Sequence, residues 1–551
     1  MKVFQPKIKT ALKGYTKEQL IKDIVAGIIV AIIALPLSIA LAIASGVSPE
    51  QGLYTAIVAG FIIAAMGGSR VNISGPTAAF ATIVAGIVAT YQIEGLALAT
   101  IMAGILLVLM GIFRFGSLIK YIPYTITTGF TAGIAVTIAI GQVKDFLGLS
   151  YPEGTANVET VDKAANVVKN INSFNYQALL VGLLALAIQI VWPRISKKIP
   201  GSLIAVIVGV VVVKFAHLEV NTIGDLYKIS RSLPKFTKPA VSFSMIRELL
   251  PSAFTIAILA GIESLLSCVV SDGMIGSHHN SNTELIAQGT GNIASALFGG
   301  IPATGAIART AANVKNGGRS PIAGMVHAVT LLLILVVLMP YAALIPMPVI
   351  ASILFMVAYN MSEWRHFRDI IKTAPKSDIL VLFVTFALTV AFDLVVAIEV
   401  GMVLAAFLFL KRMTDVTEVR TWTYIAEDEQ PVDEMHGLKP VPDGVSVYEI
   451  NGPMFFAVAD KFADIPLRDK DRVVIIRMRN VPAMDTTALR NLTNLCNTLR
   501  KADITVLLSH VNEQPMGVMR KAGFDKIIGE ENFCANIDAA LERAGELVKA
   551  Q

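Results

Sequence analysis

"GGIPATGAIARTAANVKNGGRSP", residues Gly299 to Pro321, places Arg309 among glycine, alanine and threonine residues, with long apolar runs on both sides. By insertion scales, an arginine at the centre of a membrane-spanning helix costs about 2.5–3.5 kcal/mol. An earlier stretch, "GGSRVNISGPTAAF" (Gly67 to Phe80), has the same layout: an apolar run, Gly-Gly, then Pro and Thr before a short run of small residues. The two stretches predict a pair of equivalent, interrupted membrane segments.

The composition of the 551-residue chain is that of a membrane protein, since 54% of its residues are hydrophobic and only 16% are charged. The net charge of +5 comes from basic residues in short loops, which argues against a nucleic-acid partner. Three scattered cysteines have no metal-ligand spacing, and no nucleotide-binding Gly-x-x-x-x-Gly-Lys motif is present. We therefore expect no metal, no other cofactor and no enzymatic activity.

Hydropathy predicts fourteen membrane segments in two groups of seven. The first group lies near 24–44, 53–66, 77–91, 96–113, 121–147, 176–193 and 201–216. The second lies near 248–270, 284–298, 304–314, 321–339, 343–359, 378–394 and 396–410. A full span needs about 20 residues, so the third and tenth segments are predicted to be half-helices. A cleaved signal peptide is the alternative for the first run, but its length and the segments that follow favour a span.

Basic residues recur where the chain should return to the cytoplasm, for example at Arg70, Arg194 and Lys315. The loop 214–247 disagrees with this topology, because it is basic although it should lie on the outer side of the membrane. We predict a multi-pass protein of the cell (inner) membrane with both termini cytoplasmic. Its predicted parts, in order, are a cytoplasmic N-terminus 1–23, a membrane domain 24–412 with repeats 24–217 and 246–412, a linker 413–429 and a C-terminal domain 430–551.

Seven is an odd number, so the second group of segments enters the membrane from the opposite side and the repeat is inverted. Inverted repeats with discontinuous helices are a transporter architecture with the site near the midplane. Two facing helix N-termini leave N–H groups unpaired, each end equivalent to about half a positive charge. Arg309 adds a full charge, which predicts an anion site. The alternatives are that Arg309 pairs permanently with a carboxylate or extends towards the cytoplasm.

Glu263 lies in the middle of the eighth segment, with Ser264 and Ser267 nearby. An acid at this depth is a candidate for taking up and releasing a proton, or alternatively a fixed counter-ion or a Na⁺ ligand. His278 and His279 form a candidate metal pair, but they lie in a polar loop with no clear third ligand. We interpret them as loop residues.

After Arg412, strand-like and amphipathic helical patterns alternate, as in "RVVIIRMRNV" and "TTALRNLTNLCNTLRKA". This alternation predicts a small cytoplasmic α/β domain, joined to the membrane domain by a charged linker.

The chain resembles the sulfate permease (SulP) family, the relatives of animal solute-carrier anion exchangers and prestin. The resemblance rests on "IALPLSIALAIASGVSPEQGLYTAIVAG", "GGSRVNISGPTAAF", "YIPYTITTGFTAGI", "AGIESLLSCVVSDGM" and "AIARTAANV", followed by a STAS-like domain. It implies fourteen segments as two inverted repeats of seven, split into core and gate subdomains, and commonly a homodimer in the membrane lipid. The substrate is then expected between the third and tenth segments.

The resemblance also implies a set of site residues. Those expected to bind the small anionic substrate are Ser38, Leu41, Gly75, Thr77, Ala78, Ala308 and Arg309. Glu263, with Ser267, occupies the place of an acid linked to H⁺ or Na⁺ coupling in some relatives. Two departures concern the substrate: Leu37 stands where some bacterial relatives have glutamate, and Ala308 where animal members often have serine.

Within the family, "GPTAAF", "IPATGAIARTAANV" and "MVAYNMSEW" look most like the bacterial C4-dicarboxylate carrier. The expected function is therefore H⁺-coupled symport of a C4-dicarboxylate or of an inorganic oxyanion such as sulfate or bicarbonate. The alternatives are Na⁺ coupling, an uncoupled exchanger or channel-like pathway, a nucleobase carrier and a membrane anchor for signalling.

In the STAS-like domain, "VPAMDTTALRNL" resembles the phosphorylation site of bacterial anti-sigma antagonists, with Thr486 and Thr487 as the acceptors. The alternative is a plain helix N-cap at Asp485. The domain is expected to be regulatory, with a cytoplasmic protein partner.

Overall fold

The structure is a computed structural model that describes residues 4–117, 123–152, 159–196, 199–227, 229, 232–239, 242–392, 394–422, 441–456 and 470–550. The chain divides into two compact units, Met1–Val403 and Leu404–Gln551.

The first unit is helical apart from two short strands. The elements of its first half are α1 (Ile8–Ala11), α2 (Lys17–Ala44), α3 (Pro49–Met66), β1 (Ser74–Gly75), α4 (Ala81–Ile112), α5 (Tyr124–Leu147), α6 (Thr160–Lys169), α7 (Tyr176–Ile195), α8 (Gly201–Phe215) and α9 (Ile223–Leu226). Those of its second half are α10 (Phe243–Ile275), α11 (Ser281–Leu297), β2 (Thr304–Gly305), α12 (Ile307–Lys315), α13 (Pro321–Ala342), α14 (Met347–Met361), α15 (Trp364–Thr373) and α16 (Lys376–Ala391). The boundary between the units falls within α17 (Leu394–Val416).

Each of the fourteen predicted apolar segments coincides with a helix or part of a helix among the described residues. The third and fourth segments are the two parts of α4, which are separated at Gln92, where φ is 58°. The tenth segment is α12, whose nine residues rise about 14 Å, half the thickness of a hydrocarbon core. The predicted short segments are therefore present.

Seven described helices have both the length and the apolar composition to cross a membrane. They are Lys17–Ala44, Pro49–Met66, Ala78–Ile112, Tyr124–Leu147, Tyr176–Ile195, Phe243–Ile275 and Pro321–Ala342. The first unit is thus the multi-pass membrane part that the hydropathy predicts.

The two strands of the first unit come from equivalent places in the two halves. β1 follows the second segment and β2 follows the ninth, and they pair antiparallel with Ser74 opposite Gly305 and Gly75 opposite Thr304. The equivalent stretches therefore run in opposite directions where they meet, as an inverted repeat requires.

The N-terminal segment is packed onto this unit rather than forming a separate tail. The backbone N–H of Gln5 donates to Thr283 Oγ1 at 3.0 Å, and that of Lys7 donates to the carbonyl of Gly67 at 2.9 Å. Asp23 is fully buried, and its carboxylate accepts hydrogen bonds from Tyr15, Gln19 and Ser320. The predicted cytoplasmic N-terminus 1–23 thus includes residues that pack on the helices.

Close helix contacts in the first unit depend on small residues. A Cβ added to Gly289 of α11 would lie 2.4 Å from the carbonyl oxygen of Gly104 in α4 and 2.8 Å from the backbone nitrogen of Val108. Small residues allow the backbones of membrane helices to approach, which is where such helices gain packing energy.

The second unit is an α/β domain, as predicted. Its elements are β3 (Glu418–Trp422), β4 (Val445–Asn451), β5 (Val473–Asn480), α18 (Thr486–Lys501), β6 (Thr505–Ser509), α19 (Glu513–Lys521), α20 (Phe524–Ile528), β7 (Phe533–Cys534) and α21 (Ile537–Ala550). The sheet order is β3-β4-β5-β6-β7, with β3 antiparallel and the others parallel. Alternate residues of β5 face opposite sides, so Val474 packs with α18 and Val473 with α21.

The predicted linker 413–429 differs from the structure at its start. α17 continues to Val416, and β3 pairs with β4 from Glu418 onwards. The segment "EVRTW" forms a strand because it pairs with β4 at the edge of the sheet. The rest of that linker and the first part of the domain, residues 423–440, lie outside the described residues.

We expect the variant Gly289→Ala to destabilise the membrane unit by about 1–3 kcal/mol, because the new methyl group would overlap backbone atoms of α4. The matched control is Gly86→Ala, also in a membrane helix, where a Cβ would have no neighbour within 4 Å. The measurement is the thermal unfolding temperature of each full-length variant in detergent. Equal temperatures for the two variants would contradict the close α4–α11 contact.

Candidate functional site

Arg309 is the third residue of α12 and is 1% exposed. Its Nη2 lies 3.4 Å from Ser38 Oγ in α2 and 3.2 Å from the carbonyl oxygen of Pro76. Within the described residues, its Nε and Nη1 have no hydrogen-bond partner. The burial excludes an arginine that extends into the aqueous phase, and no described carboxylate forms an ion pair with it.

The guanidinium is pressed against the first interrupted stretch. A Cβ added to Gly75 would lie 2.5 Å from Nη1 of Arg309 and 3.5 Å from Cβ of Ala56 in α3. A side chain at this position would force the guanidinium to move from where it lies.

Two helix starts adjoin the strand pair. The 3₁₀ turn Ala78–Phe80, which leads into α4, has Thr77 as its N-cap, and α12 has Ala306; neither side chain caps its helix. Free N–H groups at helix starts attract anions. Ala308, in the first turn of α12, is exposed, whereas the apolar side chains of Leu41 and Ala78 are buried. Of the predicted residues, Ser38 and Gly75 are therefore in contact with Arg309, and Thr77 follows Pro76, whose carbonyl the guanidinium meets.

Glu263 of α10 joins this place through Thr77. The Thr77 hydroxyl donates to Glu263 Oε2 at 2.9 Å, and both residues are partly exposed. An acid, a hydroxyl and a helix start are thus connected next to the arginine.

Ser267 has a different position from the one predicted. It is fully buried, and its hydroxyl contacts Asn72 Oδ1 at 2.8 Å and Thr310 Oγ1 at 3.1 Å, not Glu263. Ser267 therefore positions the two interrupted stretches, and its assignment to ion coupling has no contact with the acid to support it.

Glu284 is a central residue that the sequence reasoning missed. It is fully buried in the first turn of α11. Its carboxylate accepts five hydrogen bonds, from the backbone N–H of Gly68 (2.8 Å) and Ser69 (3.2 Å) and from the side chains of Asn72 (2.8 Å), Ser264 (3.2 Å) and Gln288 (3.1 Å). Glu284 therefore holds the first interrupted stretch against α11.

The second interrupted stretch is held in the same way by α3 and α11. Asn292 binds both backbone groups of Ala303, at 2.8 and 2.9 Å. Thr55 accepts from the N–H of Ile301 at 2.7 Å, and Ser295 donates to the carbonyl of Ile301 at 2.8 Å. Side chains therefore satisfy the backbone groups that the broken helices leave free.

The other predicted sites are the histidine pair and the start of α18. His279 contacts Asp272 and Ser281 at 2.7 and 3.0 Å, and the described residues contain no group of three metal-binding side chains. Asp485 caps α18 by accepting from the N–H of Ala488 at 2.8 Å, so the predicted N-cap is confirmed. Thr486 and Thr487 are exposed, and their phosphorylation stays a prediction.

The sequence profile described as the sulfate permease family matches residues 20–385, and that of the STAS domain matches residues 438–540. The chain belongs to the sulfate permease family.

Sequence relatives of this sulfate permease family member extend over nearly its full length. It is 41% identical over 529 residues to "Putative sulfate transporter YvdB" of Bacillus subtilis (strain 168), covering 95% of this chain and 97% of the relative. It is 32% identical over 490 residues to "Bicarbonate transporter BicA" of Picosynechococcus sp., covering 86% and 85%. These relatives are transporters, not enzymes.

Solved structures share the fold of this permease. The transmembrane domain of a cyanobacterium bicarbonate transporter BicA superposes with a TM-score of 0.62 at 30% identity, over 71% of this chain and 98% of that one. The overall structure of SLC26A9 superposes with a TM-score of 0.86 at 19% identity, over 98% and 93%. The fold is that of a helical membrane transporter with a C-terminal STAS domain.

We expect Glu284→Gln to destabilise the permease by about 2–5 kcal/mol, because an amide NH₂ would face groups that are all donors. The control is Glu94→Gln, an exposed acid in α4. Thermal unfolding in detergent and monodispersity on size exclusion are the measurements. An unchanged unfolding temperature for Glu284→Gln would mean that this carboxylate does not hold the interrupted stretch.

Proposed function

We propose that this sulfate permease family member is a secondary active transporter that carries small anions, sulfate or bicarbonate, and binds them at Arg309. The observation that supports this is the buried guanidinium, two of whose nitrogen atoms have no hydrogen-bond partner among the described residues. A buried charge without compensation is unfavourable, and a negative solute provides that compensation. The uncapped helix starts at Thr77 and Ala306 favour the same ligand.

The proposed substrates follow from charge and from the relatives. Arg309 and two helix starts give a positive site, which disfavours an uncharged nucleobase. The relatives' names include sulfate and bicarbonate. A C4-dicarboxylate is also a small anion, and succinate therefore belongs in the substrate panel as the test of that narrower hypothesis.

Coupling is proposed to occur at Glu263, with H⁺ as the coupling ion and Na⁺ as the alternative. Its carboxylate is partly exposed and is bound by Thr77 at the end of the first interrupted stretch. A change in its charge would act directly on the loop next to the anion. This connection supports coupled transport over an uncoupled, channel-like pathway.

The remaining proposals concern the surroundings of the transporter. The inner membrane is the proposed location, with both termini cytoplasmic and a homodimer as the assembly. The STAS domain is proposed to regulate transport, through a cytoplasmic protein partner or phosphorylation at Thr486 or Thr487, which are exposed beside the start of α18.

We expect Arg309→Gln to reduce uptake of radiolabelled sulfate or bicarbonate into proteoliposomes by at least about tenfold, because the charged donors of the site are lost. Lys315→Gln, an exposed cation at the end of the same helix, is the control and should retain uptake. Succinate is measured in parallel. Normal uptake of every anion by Arg309→Gln would refute the site.

We expect Glu263→Gln to reduce the stimulation of uptake by an inward proton gradient, so that the ratio of uptake with and without the gradient falls towards one. The reason is that an amide cannot exchange the proton. Parallel assays with a Na⁺ gradient identify the coupling ion, and Glu94→Gln serves as the control. A variant that keeps the wild-type response to both gradients would assign coupling to another residue.

A further inference from the structure

His327 is a buried titratable residue that the proposed transport mechanism does not use. It lies in α13, is 0% exposed, and neither its Nδ1 nor its Nε2 has a hydrogen-bond partner among the described residues. Leaving a buried polar group unpaired costs about 1–3 kcal/mol. An orphaned imidazole in a packed core therefore calls for an explanation in terms of a ligand or a second state.

The helix that carries His327 packs against the first interrupted stretch. One turn earlier in α13, a Cβ added to Gly324 would lie 3.5 Å from Ile73 and 3.7 Å from the carbonyl oxygen of Asn72. Ile73 is hydrogen-bonded to the start of α12, since its N–H donates to Thr310 Oγ1 at 3.0 Å and its carbonyl accepts from the N–H of Ala306 at 2.8 Å. Residues three apart share a helix face, so His327 lies on the face of α13 that packs against this stretch.

We infer that His327 takes up a proton when a divalent oxyanion binds, and so supplies the second positive charge that such an anion requires. This inference rests on the anion site proposed at Arg309, and it narrows the substrate to divalent oxyanions such as sulfate. A hydronium ion or buffer acid in the solvent gives up the proton and is left as water or the buffer base, and the lone pair of the unprotonated ring nitrogen of His327 forms the new N–H bond.

The charges explain why binding and protonation are linked. Without an anion, an imidazolium beside the Arg309 guanidinium would place two like charges in a buried site, which is unfavourable. With sulfate present, two positive charges match the two negative ones. Arg309 alone matches a monovalent anion, so a monovalent anion should bind without taking up a proton.

Few other titratable groups lie on the elements packed against α13. Three helices, α1, α2 and α3, pack against α13, and so does the first interrupted stretch at Gly324. Their titratable side chains among the described residues are Lys9, Lys17, Glu18, Lys22, Asp23, Glu50, Tyr54 and Arg70. Of the acids, Glu18 is exposed and pairs with Lys22. Asp23 is occupied by Tyr15, Gln19 and Ser320, and Glu50 lies in the first turn of α3. No described hydrogen bond or ion pair connects any of them with His327.

The experiment is calorimetric titration of the full-length permease in detergent with sulfate and, separately, with nitrate. Using two buffers of different ionisation enthalpy gives the number of protons taken up for each anion bound. Both anions keep their charge between about pH 6 and pH 8, the range in which histidine titrates. For the wild type we expect about one more proton taken up per sulfate than per nitrate, and a sulfate affinity that weakens, relative to that for nitrate, by up to about tenfold per pH unit as pH rises.

The variants are His327→Leu and His327→Gln. An apolar side chain of similar volume should keep the fold, since it removes both unpaired nitrogens, and unfolding temperatures check this. We expect both variants to lose the sulfate-linked proton and the pH dependence of sulfate affinity while they still bind nitrate. Glu94→Gln, which removes an exposed acid of α4, is the control and should keep the additional proton taken up with sulfate.

The outcomes distinguish this inference from the function on which it rests. Proton uptake per sulfate that is the same in His327→Leu as in the wild type overturns the role of His327. Wild-type binding of nitrate but not of sulfate overturns the divalent preference and leaves the anion site intact. Wild-type binding of neither anion refutes both proposals. A folded His327→Leu variant with lower stability but unchanged linkage would show a purely structural role.

Discussion

An interrupted helix inside a membrane leaves backbone N–H and C=O groups that lipid cannot satisfy. In this permease the solution is a set of polar side chains on the two helices α3 and α11. Glu284 binds the first interrupted stretch, while Asn292, Ser295 and Thr55 bind the second. Because these side chains are themselves buried and fully engaged, the strand pair has a fixed geometry, and the helix starts beside it remain free to meet a solute.

The same framework explains how a guanidinium is tolerated at this depth. Arg309 is not neutralised by a carboxylate in the described residues; it contacts Ser38 and the carbonyl of Pro76 and lies against Gly75. The acid of the site, Glu263, is connected through Thr77 and not through the arginine. The cation and the acid therefore have separate partners, and among the described residues neither neutralises the other.

Hydropathy and the cost of burying Arg309 were sufficient to predict the membrane segments, the two half-helices and the place where they meet. Glu284 was not predictable in the same way, because its partners Gly68 and Asn72 lie more than two hundred positions away and its own segment, "SNTELIAQGTGN", is polar enough to read as a helix start. Ser267 was assigned to Glu263 from helical spacing, but spacing does not identify which neighbouring loop a side chain meets. The residues of β3 were predicted to be linker. They form a strand because β4 is available to pair with them, and the sequence does not show that pairing.

The N-terminal segment is attached to the first unit through main-chain groups, and this affects how its sequence can vary among homologues. Gln5 and Lys7 are held through their main-chain N–H groups, which every residue except proline possesses. Their side chains contribute little to the attachment, so this region can change its chemical character while keeping its path. Related chains should therefore tolerate wide variation here, with proline as the substitution that evolution avoids.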